Sequence, residues 1–265
     1  MLHLTLVAVG WLLCAEEPVP DPAALMKEVQ AHQQKMGEVR ENYTFHRIVR
    51  LEELNGKGRV KKTTVREHEV FFVNGRQIGR LVKRDGNPLS EEEDKKEQDR
   101  VRKLTLEFSK KPPSFGRGGG VNLISMILAV SEVSNPRRNE MNGRSTLVFD
   151  FKGNPKAEAH GMPSRAAKKL AGTVWIDEAD RQVARLEVEF YDNFSVAGGL
   201  LASIKKGTII KMEQSPIGEG LWMQTASEQH MNLRVVVKSL HENVQVKNFD
   251  FKRFNVEALQ QQERK

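Results

Sequence analysis

Cysteine is almost absent from this chain of 265 residues, because Cys14 near the N-terminus is the single one. One thiol cannot form an intrachain disulfide or supply the several thiolates of a zinc site. Tyrosine is also scarce, and basic residues do not alternate with aromatic ones in any run, so we expect no nucleic-acid partner. The net charge of +7 favours anionic surfaces such as lipid head groups, although the interleaved acidic residues are also typical of an ordinary solvated surface.

Local motifs of catalysis and metal binding are absent from the sequence as well. There is no His-Glu-x-x-His pair, no Gly-x-Ser-x-Gly turn and no Asp-rich calcium loop. The glycines of Gly116 to Gly120 follow Pro112-Pro113 instead of a strand and lack the Lys-Ser/Thr of a phosphate-binding loop, so a hinge is favoured over a phosphate site. We expect no cofactor, no metal and no enzymatic activity. An exported hydrolase whose histidines converge in space is the alternative.

Acidic residues, lysine and arginine are missing from Leu2 to Ala15, whose apolar run Leu4 to Leu13 has the length of a signal-peptide core and is too short to cross a bilayer. We interpret residues 1–15 as a signal peptide and 16–22 as a linker. The protein is therefore predicted to be periplasmic or secreted, with no stable transmembrane segment after cleavage. The alternative is a lipid anchor on Cys14, but Trp11-Leu12-Leu13 lacks the small residues that usually precede a lipoprotein cysteine.

The N-terminal half has the pattern of one helix followed by a three-stranded meander. Apolar residues at helical spacing predict a helix over Ala23 to Met36. Alternating residues then predict strands, which are Tyr43 to Glu53, Val60 to Val73 and Gln77 to Lys83. The turns between them are predicted at Asn55 to Gly58 and at Asn74-Gly75, because these residues tolerate the backbone angles of hairpins.

Two further helices are predicted in the middle of the chain. Ser90 and Glu93 form a capping box, which starts a charged helix that runs to about Phe108. The segment Val121 to Val130 is apolar on every side, which indicates a buried helix. We expect this second helix to lie as a plug in the cup of the sheet.

The C-terminal third, Gly172 to Phe254, is predicted to be a series of antiparallel strands that form one wall of a cupped sheet. Its clearest hairpin joins two alternating runs through the polar turn Asp177 to Asp180, and one face of each run is apolar. The apolar loop Ser195 to Ala202 is predicted at the rim of the cup. The residues that we expect to line a ligand cavity are Leu123, Ile124, Ile127, Val174, Ile176, Leu186, Val188, Phe190, Leu200 and Leu201.

Three stretches give the chain a resemblance to a known family. Gly172 to Asp177, Arg185 to Val188 and the closing Asn248 to Phe254 resemble strands of the outer-membrane lipoprotein-sorting superfamily, the LolA and LolB fold. The resemblance implies an α+β fold in which a curved antiparallel sheet forms a half-open barrel, with helices as lid or plug over an apolar cavity. It covers residues 23–254 in layout, within the single domain that we assign to residues 23–256, ahead of a polar tail at 257–265.

The function predicted from these features is that of a non-enzymatic binding or carrier protein. An apolar cavity of this kind shelters the acyl chains of a lipid or lipoprotein, which are the expected partners. The alternative is a protein-interaction or envelope-sensing module that uses the same cup for an envelope protein and transports nothing.

Overall fold

The computed structural model describes residues 19–112, 124, 126–127, 129–196, 202–218, 220–236 and 238–253. The helices of this part are α1 (Pro22–Arg40), α2 (Glu91–Ser109) and α3 (Gly161–Ala167). The strands are β1 (Tyr43–Leu54), β2 (Val60–Val73), β3 (Arg76–Arg84), β4 (Asn87–Pro88), β5 (Ser131–Met141), β6 (Arg144–Gly153), β7 (Leu170–Asp177), β8 (Val183–Phe190), β9 (Phe194–Val196), β10 (Ala202–Ile204), β11 (Ile209–Gly218), β12 (Leu221–Val235) and β13 (Lys238–Arg253).

All thirteen strands belong to one antiparallel sheet. Its order is β4-β3-β2-β1-β13-β12-β11-β8-β7-β6-β5, and β10 joins β9 to β12 beside this path. The strands β4 and β5 lie at opposite ends of that path, so the sheet is open. The predicted α+β fold, built on a large antiparallel sheet that does not close on itself, is confirmed.

The N-terminal meander forms as its turn residues predict. Asn74 and Gly75 both adopt positive φ, at 49° and 78°, which is the geometry of a two-residue hairpin turn between β2 and β3. In the turn before β2, the side-chain oxygen of Asn55 accepts from the backbone N–H of Lys57 at 2.9 Å and of Arg59 at 3.1 Å. The strands of this half therefore lie side by side in the order in which they occur in the sequence.

Helix α1 packs against the sheet along most of its length. The Asp21 carboxylate accepts from the backbone N–H of Ala24 at 2.9 Å, and Pro22 occupies the first turn, so both signals of a helix start are present. Its apolar side chains enter two clusters. The larger cluster fills the half of the sheet formed by β6, β7, β8 and β11, and the smaller one, around Phe45 and Val70, lies on β1 and β2.

A buried ion pair fixes the hairpin of β7 and β8. The side chain of Asp177 is 1% exposed and binds the Arg144 guanidinium through two hydrogen bonds, at 2.5 and 2.8 Å. Arg144 also contacts Asp180, whose carboxylate accepts from the indole N–H of Trp222 at 2.9 Å. The predicted polar turn therefore ties β6, the β7–β8 hairpin and β12 together.

Strand β5 was not predicted, because Pro136 and the four Asn and Arg residues around it interrupt its alternation. It forms at the end of the sheet, where proline is tolerated because one side of an edge strand needs no ladder hydrogen bond. The irregular pairing between Ser134 and Arg137 accommodates this proline.

Within the described residues, none of the helices is both long enough and apolar enough to cross a membrane.

Candidate binding cleft

A cleft of about 470 Å³ lies between the meander strands and α2. We call it the inner cleft, and its lining residues are Arg47, Val49, Arg66, His68, Val70, Gly79, Leu81, Arg84, Glu97 and Arg100. Cross-strand pairing places Phe45 opposite Val70, Arg47 opposite His68 and Val49 opposite Arg66, so these side chains share one face. Because Phe45 and Val70 pack in a cluster with Met36 and Val39 of α1, this is the helix-covered face of the sheet.

Helix α2 forms one wall of the inner cleft and covers the edge of β3. The Glu97 carboxylate accepts from the backbone N–H of Leu81 at 2.7 Å, and Arg100 donates to the carbonyl oxygen of Gly79 at 2.5 Å. These contacts satisfy backbone groups that an edge strand otherwise exposes to water or to another chain. The helix has no fully buried residue, and these polar contacts help to hold it against the sheet.

The two ends of α2 are fixed to the meander separately. At the start, Ser90 and Glu93 form the predicted capping box, and Glu93 also binds Arg84 at 2.6 Å. At the end, the Asn74 side chain donates to the carbonyl oxygens of Phe108 and Ser109, at 3.0 and 3.2 Å. The turn residue that sets the β2–β3 hairpin therefore also holds the C-terminus of α2.

The inner cleft carries more arginine than its carboxylates neutralise. Arg84 pairs with Glu93, and Arg100 pairs with Glu97 at 2.6 Å. Arg47 donates from Nε to the side-chain oxygen of Asn248 at 2.9 Å, which is a neutral partner. Because Arg47 is partly buried, desolvation lowers the pKa of its guanidinium. Among the described residues Arg66 has no hydrogen-bond or ion-pair partner, and it is exposed at the rim.

The imidazole of His68 lies in the floor of the inner cleft. Burial lowers its pKa, and the positive charge of Arg47 lowers it further, so the ring is neutral at pH 7. Its Nδ1 atom is buried and has no hydrogen-bond partner among the described residues. Gly79 lies beside the ring, and a Cβ atom at this position would be 3.6 Å from Cδ2 of His68. The absence of a side chain at position 79 therefore keeps the space above the imidazole open.

Comparison with known proteins identifies similar folds. The chain is similar to a LolA superfamily protein from Nitrosomonas europaea, with 12% identity and a TM-score of 0.35 over 86% of this chain and 94% of the other. A DUF1329 family protein from Desulfovibrio piger is 11% identical, with a TM-score of 0.37 over 88% and 98%. A domain described as outer membrane lipoprotein-sorting from Vibrio parahaemolyticus is 12% identical, with a TM-score of 0.35 over 86% and 92%. The superfamily that the sequence resembles is thus represented among these structures.

By sequence, no family model and no curated protein matches the chain. At such identities the likeness concerns the fold alone.

Most residues predicted to line a cavity lie in the larger core cluster. Ile124, Ile127, Val174, Ile176, Leu186, Val188 and Phe190 are at most 5% exposed and belong to one contiguous packed group. Leu123, Leu200 and Leu201 lie outside the described residues. Ile124 and Ile127 of the predicted apolar helix are fully buried in that cluster. The ligand-lining role of this set stays a prediction.

The residues of the inner cleft were not recognised from the sequence. One signal was available, because Arg47 lies with Tyr43, Phe45, Val49 and Leu51 on one otherwise apolar face of the first predicted strand. An arginine on such a face needs a partner or access to water. The contribution of α2 had no comparable signal, because its packing against the edge of β3 is made by charged side chains.

Proposed function

We propose that the chain is a non-enzymatic binding protein for acylated ligands and that the inner cleft receives the acyl chain of a lipid or lipoprotein. The observation that carries the proposal is the space of about 470 Å³ on the helix-covered face of the sheet. Small-molecule sites occupy roughly 300–1,000 Å³. The apolar side chains of Val49, Val70 and Leu81 face this space and provide surface for hydrocarbon.

The energetic basis is the removal of methylene groups from water. Each buried methylene contributes about 0.8 kcal/mol, so six of them contribute on the order of 5 kcal/mol. This estimate corresponds to a dissociation constant in the submillimolar range before the losses of motional freedom are counted. Binding of this kind is reversible and needs no covalent step.

The way α2 is attached to β3 suggests how a ligand enters and leaves the inner cleft, namely by separation of this helix from the sheet. The helix borders the inner cleft, has no buried residue and is fixed to β3 by ion pairs and hydrogen bonds. Polar contacts at a protein surface are individually weak, so the helix can separate from the sheet without exposing a hydrophobic core. An exported location agrees with this role and rests on the apolar run Leu4 to Leu13.

The test starts from protein secreted into a bacterial periplasm and purified without detergent. Native mass spectrometry is expected to show bound lipid, and the delipidated protein is expected to bind the neutral fluorescent probe N-phenyl-1-naphthylamine. Gly79→Leu narrows the inner cleft beside His68 and should weaken probe binding at least tenfold. Gly56→Leu is the matched control, because Gly56 lies in an open turn where nothing is within 4 Å of an added Cβ.

Three outcomes separate the possibilities. Loss of probe binding in Gly79→Leu alone, with unchanged thermal unfolding, supports the proposal. A spectrum free of lipid together with no probe binding overturns it. Co-purification of one stoichiometric protein with no lipid favours the interaction module instead.

A further inference from the structure

We infer that the inner cleft recognises an oxyanion, a carboxylate or phosphate group, which binds between Arg47 and Arg66. This inference rests on the proposed function and specifies it, because the oxyanion is taken to be the head group of the acylated ligand. The same oxygen chemistry also occurs in free phosphate, and the experiment distinguishes the two sources.

The two arginines occupy diagonal positions on neighbouring strands. Arg47 of β1 is opposite His68 of β2, and Arg66 lies two residues before His68 on the same face. Diagonal positions of this kind are separated by about 7–8 Å, which lies within the reach of two long side chains toward one ligand. The guanidinium groups can therefore share a single oxyanion through charge-assisted hydrogen bonds.

Among the described residues, Arg47 and Arg66 are the two arginines of the inner cleft that no carboxylate neutralises. Arg84 and Arg100 also line the inner cleft, but Glu93 and Glu97 pair with them. In the described part of the chain no carboxylate pairs with Arg47 or with Arg66. The partly buried Arg47 guanidinium lies 5.4 Å from the centre of the Phe45 ring but has no counter-charge, so an anion beside it gains more than it would at a fully solvated surface.

His68 supplies a third polar contact. Its Nδ1 atom is buried and unpartnered, and the neutral ring has one N–H to donate. A ligand oxygen that reaches the floor of the inner cleft would accept from this group in the Nδ1–H tautomer. Val49, Val70 and Leu81 line the same cleft, so a ligand with an anionic end and an apolar body finds both chemistries in one place.

The experiment compares ligands that share a chain and differ in the head group. Dodecanoate and dodecan-1-ol are titrated against delipidated full-length protein that carries N-phenyl-1-naphthylamine, and displacement of this neutral probe gives each affinity. We expect dodecanoate to bind at least tenfold more tightly than the alcohol. In Arg66→Gln the affinity for dodecanoate should fall at least tenfold, so that the two affinities become equal within a factor of three.

Lys61→Gln is the matched control, because Lys61 is an exposed cation on β2 that does not line the inner cleft. It removes the same charge and should preserve the preference for dodecanoate. Arg47→Gln is a second variant with the same expected loss. Because Arg66 has no partner in the described structure, Arg66→Gln can be examined without disturbing another contact.

Each outcome has a separate meaning. If neither the probe nor either ligand binds, the proposed function fails together with its site. If both ligands bind equally to the unaltered protein, the oxyanion site is refuted while the proposed function stands. If inorganic phosphate binds as tightly as dodecanoate and depends on Arg66, the lipid head group is refuted as the source of the anion.

Discussion

The Nε atom of Arg40 donates a hydrogen bond to the backbone carbonyl oxygen of Trp222 at 3.0 Å. Trp222 of β12 is opposite Pro216 of β11, and proline has no N–H to offer that carbonyl. On the other side, the pairing of β12 with β13 begins only at Ala226. The guanidinium at the end of α1 therefore takes the place of a ladder donor that the sheet lacks.

Replacing Arg40 by methionine should lower the free energy of unfolding by about 1–3 kcal/mol, because a buried carbonyl oxygen loses its donor. Arg40 is 6% exposed, and burial lowers the pKa of its guanidinium to about 10, so the side chain is still charged at pH 7. Urea unfolding followed by tryptophan fluorescence measures the change. Arg50→Met is the control, since Arg50 lies on β1 and is half exposed, and its effect should stay within about 0.5 kcal/mol. Equal or greater stability of Arg40→Met would contradict this account.

Acid should release α2 before it unfolds the core. Glu93 has its pKa lowered by the Ser90 N–H and hydroxyl, Asp94 by Arg80, and Glu97 by Arg100 and the Leu81 N–H. A carboxyl whose pKa is depressed in the folded state stabilises that state above its ordinary pKa and loses this effect as the pH falls through and below it. The attachment of α2 should therefore be complete above about pH 5 and weaken progressively below about pH 4.

Hydrogen exchange by mass spectrometry can follow this release. Amides of residues 91–109 should lose protection on acidification while those of β6 to β8 keep theirs. Glu97→Ala should produce the same loss at pH 7, because it removes the acceptor of the Leu81 N–H. Glu92→Ala is the control, since Glu92 forms only an exposed pair with Lys96. If the amides of α2 and of β6 to β8 lose protection at the same pH, the helix does not separate from the sheet independently of the core.

Gly172 marks a close approach of β7 and β8. A Cβ atom there would lie 1.9 Å from the carbonyl oxygen of Glu187, which is far inside contact distance. Gly172→Ala should therefore destabilise the protein by about 2–4 kcal/mol, because backbone atoms of two paired strands must move apart. Gly56→Ala meets nothing within 4 Å and should change stability by less than about 0.5 kcal/mol. Thermal unfolding of the two variants measures the difference, and equal melting temperatures would contradict the packing.

Local signals in the sequence predicted most of the regular structure. The Asn74-Gly75 turn, the Ser90–Glu93 capping box and the extent of β2 all agree with the structure, because each depends on neighbouring residues. Such features need no knowledge of distant contacts.

Features that depend on distant contacts were not predicted. Pro216 to Gly218 and Ser239 to His241 have the composition of links, yet they extend β11 and β13, because neighbouring strands pair with them. The short helix α3 begins at Gly161 and ends at Ala167, before Leu170 starts β7. The inner cleft also depends on distant contacts, because it forms only where α2 packs against the edge of the meander.

The pairing of β1 with β13 joins the meander to the remainder of the sheet. Arg47 and Asn248, which bond across this pair, are 201 positions apart in the chain. Closing so large a loop costs entropy and slows folding. During synthesis the meander has no neighbour on one side until the strand that ends at Arg253 has emerged, so β1 exposes an unprotected edge throughout that interval. A chaperone that binds extended chains would protect this edge of β1. The yield of soluble protein should therefore depend on the presence of such a chaperone.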